Sequence, residues 1–157
     1  VITTAISTVV GAPRRRVWRA ITDPAEIVRW DERAVQLLEP AEAALQPGRV
    51  LRWRYHLGGV PLELREEILD LLPEERLHSA AQLGLFRFEQ TFTLADDAAD
   101  PARTRLGLRL AAENAVPIVG GVLDRFAVRR QAADYVDARL RALQKWCEAR
   151  QPAEPLG

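Results

Sequence analysis

From Ile118 to Arg150 the chain reads as one uninterrupted helix, and no other pattern limits its fold as much. Pro117 stands just before it, where a missing amide hydrogen removes a donor that a first helical turn leaves unpaired anyway. Apolar residues then recur at three- and four-residue steps through Val119, Val122, Leu123, Phe126, Ala133, Val136, Leu140, Leu143 and Cys147. Arg125, Arg129, Asp134, Arg139, Arg141, Lys145 and Glu148 make up a face that reads as solvated. At ~1.5 Å per residue such a helix spans about 50 Å, so a wide element has to lie beneath its apolar stripe.

The preceding hundred or so residues supply that element. Ile2 to Val10 has a strand composition, and Gly11 ends it. A short helix follows Pro13 with Val17, Trp18 and Ile21 on one side. A second has Asp23 as N-cap, Pro24 as first residue and Glu26 as the reciprocal capping partner, and closes near Trp30. The period then changes to two. Ala34 to Glu39 is a weak strand, Pro40 to Gly48 a loop, and Arg49 to Leu57 alternates Leu51, Trp53 and Tyr55 against Arg52, Arg54 and His56. Gly58-Gly59 marks a tight hairpin into Pro61 to Leu72. Strands over Arg76 to Leu83 and Leu85 to Leu94 come next, the latter with Phe86, Phe88, Gln90 and Phe92 on one face. After an acidic turn from Asp96 to Ala102, the last strand runs from Arg103 to Ala112 with Leu106, Leu108 and Leu110 inward. Short connections favour an antiparallel meander, and a sheet with one apolar face needs one cover. The fold class expected is therefore α+β, with about seven strands packed against one long C-terminal helix. Residues 1–150 read as a single domain and 151–157 as a disordered tail.

Composition excludes several functions. Lys plus Arg equals Asp plus Glu at 22 each, so no net field attracts nucleic acid. No apolar run approaches the ~20 residues of a membrane span, which argues against stable membrane insertion. One cysteine, Cys147, cannot form an internal disulfide, and the first residues carry no signal-peptide pattern, so a cytoplasmic protein is expected. Met is absent even at position 1, which implies a processed or trimmed start. His56 and His78 fall on different strands and on the outward face, so no metal-ligand spacing recurs. Gly58-Gly59 and Gly120-Gly121 lack the residues of a phosphate loop or dinucleotide turn, and no cofactor is expected. Ser7 and Ser79 have no evident base beside them, and Cys147 falls on the buried stripe, where a free thiol is usually packing.

The run Ala12-Pro13-Arg14-Arg15-Arg16-Val17-Trp18-Arg19-Ala20-Ile21-Thr22-Asp23-Pro24, closed by Trp30, resembles the opening of the SRPBCC superfamily. Gly48 before the long third strand and the Leu94 to Thr104 hairpin are similar to that superfamily as well. It is also called START-like or birch-pollen-allergen-like, and its bacterial members include a polyketide cyclase/dehydrase-like branch. The resemblance implies the helix-grip fold, a curved antiparallel sheet gripping the long helix around a cavity for a hydrophobic small molecule.

The cavity lining expected from strand parity is Trp53, Tyr55, Leu64, Phe86, Phe88 and Leu108, completed from the helix by Val122 and Phe126. Tyr55, Glu66, Gln90 and Arg130 are the candidate polar anchors. An inward Glu66 could serve as general acid or base, whereas a β-bulge would turn it outward into an ordinary surface charge. Ala112 to Pro117 and Gly120-Gly121 read equally as a mobile gate or as close helix–sheet packing. Three functions stay open: a binder of a lipid-like or polycyclic aromatic molecule, a polyketide cyclase/aromatase-like enzyme, and a chaperone-activator-like interaction domain. The expected partner is a hydrophobic ligand, with the protein a monomer or homodimer.

Overall fold

The computed structural model of the chain describes residues 2–38, 45–57, 59–84, 86–112 and 125–150. The elements run β1 (Ile2–Val10), α1 (Arg14–Thr22), α2 (Pro24–Trp30), β2 (Ala34–Leu37), β3 (Val50–Leu57), β4 (Val60–Leu72), β5 (Arg76–Leu83), β6 (Phe86–Asp97), β7 (Asp100–Ala112) and α3 (Arg125–Arg150). They form one curved seven-stranded antiparallel sheet in the order β1-β7-β6-β5-β4-β3-β2, with α3 across it. The first strand thus pairs with the last, Ile2 opposite Ala112 and Val10 opposite Thr104, which leaves β1 and β2 as the two edges of the sheet.

Alternation sets the inner face. Leu106, Leu108 and Leu110 of β7 and Phe88, Phe92 and Leu94 of β6 are buried, while Thr93 and Arg109 between them are exposed. At the β3–β4 hairpin Leu57 pairs with Val60, and Gly59 takes a φ of 80°, a left-handed conformation that a Cβ disfavours. The acidic turn expected over Asp96 to Ala102 is shorter. The β6–β7 ladder continues to Asp97 and Asp100. The ladder between β4 and β5 shifts register between Ile68 and Asp70, which leaves Leu69 as the extra residue of a bulge. That bulge comes after Glu66 and leaves Glu66 on the inner face.

Helix α3 has 26 residues, about 39 Å. The helix expected from 118 begins outside the described residues, which also exclude the proposed gate and the tail. Val136, Leu140, Leu143 and Cys147 are buried as the stripe requires. Arg139 is not on the solvated face expected of it: it is buried and bonded to Asp31. Arg16 of α1 is likewise buried, against Glu26. Further side-chain bonds tie α3 down, from Gln144 Nε2 to the Val9 carbonyl at 3.1 Å and from Trp146 Nε1 to Glu26 Oε1 at 2.8 Å. Glu26 therefore does not close a capping box. Asp23 caps α2 by accepting from the Ala25 amide at 3.0 Å, while the Glu26 carboxylate serves Arg16, Arg19 and Trp146. The buried Arg16 guanidinium is the stronger claimant on that carboxylate.

These contacts separate packing from surface charge. Leu143→Ala should lower unfolding free energy by about 2–5 kcal/mol, since it empties a closed site under α3. Arg141→Ala removes only an exposed pair with Asp137 and should change it by less than about 0.5 kcal/mol. Urea unfolding midpoints of the two variants check both.

Candidate functional site

The inner faces of β3 to β6, the end of α2 and the middle of α3 surround a lumen. Six of the residues expected in the lining are there: Trp53, Tyr55, Leu64, Glu66, Phe88 and Gln90. Phe86 lies outside it, half-buried and tilted at 30° against Phe88 with ring centres 5.1 Å apart. Leu108 is packed in the core between β1 and β6 rather than in the lumen wall. Arg130 is exposed, because residue 130 lies off the α3 stripe that buries Val136, Leu140 and Leu143. Val122 and the Phe126 side chain fall outside the described residues. The cation that α3 does deliver to the lumen is Arg139.

Two polar clusters interrupt the apolar wall. In the first, Arg139 Nη1 donates to Asp31 Oδ2 at 2.5 Å and to the Tyr135 hydroxyl at 3.3 Å. The hydroxyls of Tyr135 and Tyr55 are 2.9 Å apart. The guanidinium carbon lies 5.1 Å from the Trp30 ring, 5.4 Å from the Tyr135 ring and 6.0 Å from the Phe92 ring, within the range of cation–π attraction. Asp31 also accepts from the Arg33 amide, so the α2–β2 turn presents it in place. Burial works against the charge on Arg139, but Tyr135, Asp31 and Tyr55 outweigh it and raise its value above that of a free guanidinium. Burial, reinforced by Tyr135 and opposed by Arg139, pushes the Tyr55 phenol far above its ordinary value. Tyr55 is therefore a neutral hydroxyl, able to donate and accept hydrogen bonds but not to act as a phenolate base.

The second cluster is centred on Glu66. Its Oε1 accepts from Trp53 Nε1 at 3.3 Å, and its Oε2 accepts from Ser79 Oγ at 2.7 Å and Gln90 Nε2 at 2.9 Å. The carboxyl group thus faces three neutral donors, with no cation beside it among the described residues. Ser79, read from the sequence as lacking a base, donates to this carboxylate. Among the described residues, two buried atoms of the site have no protein hydrogen-bond partner, Gln90 Oε1 and Arg139 Nε.

The lumen as it stands is small. The space open to the centre of a water-sized sphere is about 30 Å³. The empty volume among the lining atoms is about 560 Å³, a figure that includes open solvent. The smaller figure measures enclosed room, and it suits a few waters rather than a drug-sized molecule. Among the described residues no group of three or more His, Cys, Asp and Glu could hold a metal ion, and no helix is long and apolar enough to cross a membrane. Cys147 is buried under α1, away from the lumen, and burial pushes its thiol up to about 12, with Arg16 opposing and Glu26 and Glu148 adding to the rise.

Two outcomes follow from this geometry. Arg139→Met alone should destabilise the protein by about 3–5 kcal/mol by leaving the Asp31 carboxylate buried and unpaired. The double variant Arg139→Met/Asp31→Leu should regain most of the loss, so that a urea-unfolding double-mutant cycle shows strong coupling. At pH 8 the Cys147 thiol stays protonated. Native protein should then react with a thiol reagent about a hundredfold or more slowly than urea-unfolded chain, as followed by absorbance.

A comparison with curated protein sequences finds no match. Solved structures share the fold at low identity. A START superfamily protein from Mycobacterium smegmatis superposes with a TM-score of 0.76 at 16% identity, covering 95% of this chain and 99% of that one. A Thermus thermophilus protein gives 0.69 at 24% identity, covering 94% and 97%. DynU16, a protein in the dynemicin biosynthetic locus, gives 0.69 at 19% identity, covering 94% of this chain and 48% of its own, so this chain spans about half of it. The family model described as polyketide cyclase/dehydrase and lipid transport matches residues 2–148. With that match running through every strand and nearly all of α3, the chain belongs to the polyketide cyclase/dehydrase and lipid transport family.

Proposed function

We propose that the protein binds a hydrophobic small molecule, lipid-like or polycyclic aromatic, in the lumen between the sheet and α3. The observation that carries this reading is an apolar, aromatic wall interrupted by two compact polar clusters, one around Arg139 and the other around Glu66. An apolar concave wall carrying a few converging polar groups is the usual make-up of a small-molecule site. Family membership supports the same reading. The ligand-bearing unit is residues 1–150, a monomer or homodimer in the cytoplasm, and its even charge balance gives no attraction to nucleic acid. The enclosed space is too small for such a ligand, so uptake parts the walls, and binding is slower than diffusion allows.

One observation favours a second reading, a cyclase/aromatase-like enzyme. The Tyr55 and Tyr135 hydroxyls in contact beside Arg139 form a donor set able to hold a carbonyl oxygen as negative charge develops on it. In that case Tyr55→Phe lowers turnover of the bound molecule at unchanged occupancy, whereas in a pure binder it lowers affinity alone.

Gentle native mass spectrometry of the purified protein, followed by solvent extraction and identification of the released molecule, tests the proposal. A lipid or aromatic molecule should come off in up to equimolar amount. An empty protein that also takes up no environment-sensitive hydrophobic dye refutes a ligand-binding lumen.

A further inference from the structure

A second hollow lies over β5 on the opposite, outer face of the sheet. It has about 440 Å³ open to the centre of a water-sized sphere, against about 30 Å³ in the lumen. Arg65 and Glu67 of β4 form one side and Arg87 and Glu89 of β6 the other, with Ala80 and Gln82 of β5 between them. The register sets Gln82 directly between the two arginines and Ala80 directly between the two glutamates.

The order of the charges follows from topology. β4 and β6 are each antiparallel to β5, so they run in the same direction, and each carries Arg two residues before Glu. Both arginines therefore stand at one end of the hollow and both glutamates at the other. Reversing the order on either strand would set each arginine across from a glutamate. β5 supplies only a neutral amide and a methyl group between them. Arg52 of β3, paired with Glu63 at 3.2 Å, stands opposite Arg65 and adds a third cation to the row. Like charges placed this way across strands oppose folding. Among the described residues no ion pair engages Arg65, Arg87 or Glu67, and Glu89 meets the His78 ring at 3.0 Å.

We infer that this hollow is a second site, for a linear zwitterion, with a carboxylate held between Arg65 and Arg87 and an ammonium between Glu67 and Glu89. The forked donors of a guanidinium suit a carboxylate. Two residues along a strand separate the two pairs by about 7 Å, which an ω-amino carboxylate with about four or five methylene groups spans when extended. A simple anion or a simple cation answers one end only, and a polyanion long enough to fill the hollow runs into the glutamates. The site is on the far side of the sheet from the lumen and does not depend on what the lumen binds.

A titration of the isotope-labelled full chain, followed by amide chemical shifts, tests this. The probes are glycine, β-alanine, γ-aminobutyrate, δ-aminovalerate and ε-aminocaproate, with valerate and pentylamine as singly charged controls. Exposed charges are screened, so the best chain should bind with a dissociation constant of about a millimolar. That chain should be δ-aminovalerate or ε-aminocaproate, about tenfold tighter than glycine or either control, with shifts centred on β5 and the facing stretches of β4 and β6. Arg87→Gln should bring its affinity down toward that of pentylamine, and Glu67→Gln toward that of valerate. Should Arg87→Gln fold poorly, Arg65→Gln opens the same clamp from the other wall. Affinities that do not depend on chain length overturn the inference, as does a preference that neither variant changes. Absence of saturable shifts at the hollow overturns it too, whether the probes bind elsewhere on the chain or nowhere.

Discussion

The Arg139–Asp31 pair joins the last helix to the turn that leads from α2 into the sheet, and both side chains are almost fully buried. Such a pair adds little net stability, since desolvating two charges offsets most of their attraction. Its force is in what it forbids. If α3 slid or rotated by one residue, Arg139 and Asp31 would each be a buried charge with no partner, an error of several kcal/mol. The register that joins them places Tyr135 one turn earlier on the same side and seats Val136, Leu140 and Leu143 on the sheet. Trp30, whose indole donates to the Ala20 carbonyl at 2.8 Å, is held by that bond with its ring against the guanidinium. The pair thus aligns α1, α2 and α3, and the lumen is what their alignment leaves over the sheet.

On the sheet side the corresponding constraint is parity. A strand shifts every side chain to the other face if it slips by one residue, so the position of a single bulge decides what enters the lumen. The β4 bulge at Leu69 falls three residues beyond Glu66. Placed before Glu66, it would have turned that carboxyl group outward and left Ser79, Trp53 and Gln90 without their common acceptor. The two polar clusters are then neutralised by different means, one by an opposite charge and the other by three dipoles. Loss of any single donor at Glu66 is therefore a smaller event than loss of either member of the ion pair.

Much of this architecture was legible in the sequence, for a physical reason. A period of two in Leu51, Trp53 and Tyr55, or in Phe88, Gln90 and Phe92, is visible in the letters, and burial follows parity. What stayed hidden were charged residues inside. Arg139 reads as solvent-facing because burial of a charge depends on a partner distant in sequence: Asp31 lies 108 residues from Arg139. A signal did exist, since residue 139 is three after Val136 and four before Leu143, squarely on the apolar stripe. Arg130, the cation expected in the lumen, lies off it and is exposed. The Glu26 capping box failed similarly, since a local motif lost its side chain to the distant Trp146 and the buried Arg16. The bulge at Leu69 was not legible, because a bulge is a mismatch between two strands and neither strand alone records it.

The small enclosed volume and the two unpaired atoms belong together. A buried donor or acceptor without a partner costs about 1–3 kcal/mol, and among the described residues Gln90 Oε1 and Arg139 Nε have no protein partner, in a lumen with room for a few waters. Closure also gathers aromatic surface, at ~25 cal/mol per Å² removed from water, which favours the small lumen when no ligand is present. A molecule that holds the walls apart therefore has to restore the apolar contact it displaces. An apolar frame does that and no more. Under the proposed binding function, selectivity in such a site comes from how well a molecule both restores that apolar contact and satisfies the polar groups of the wall.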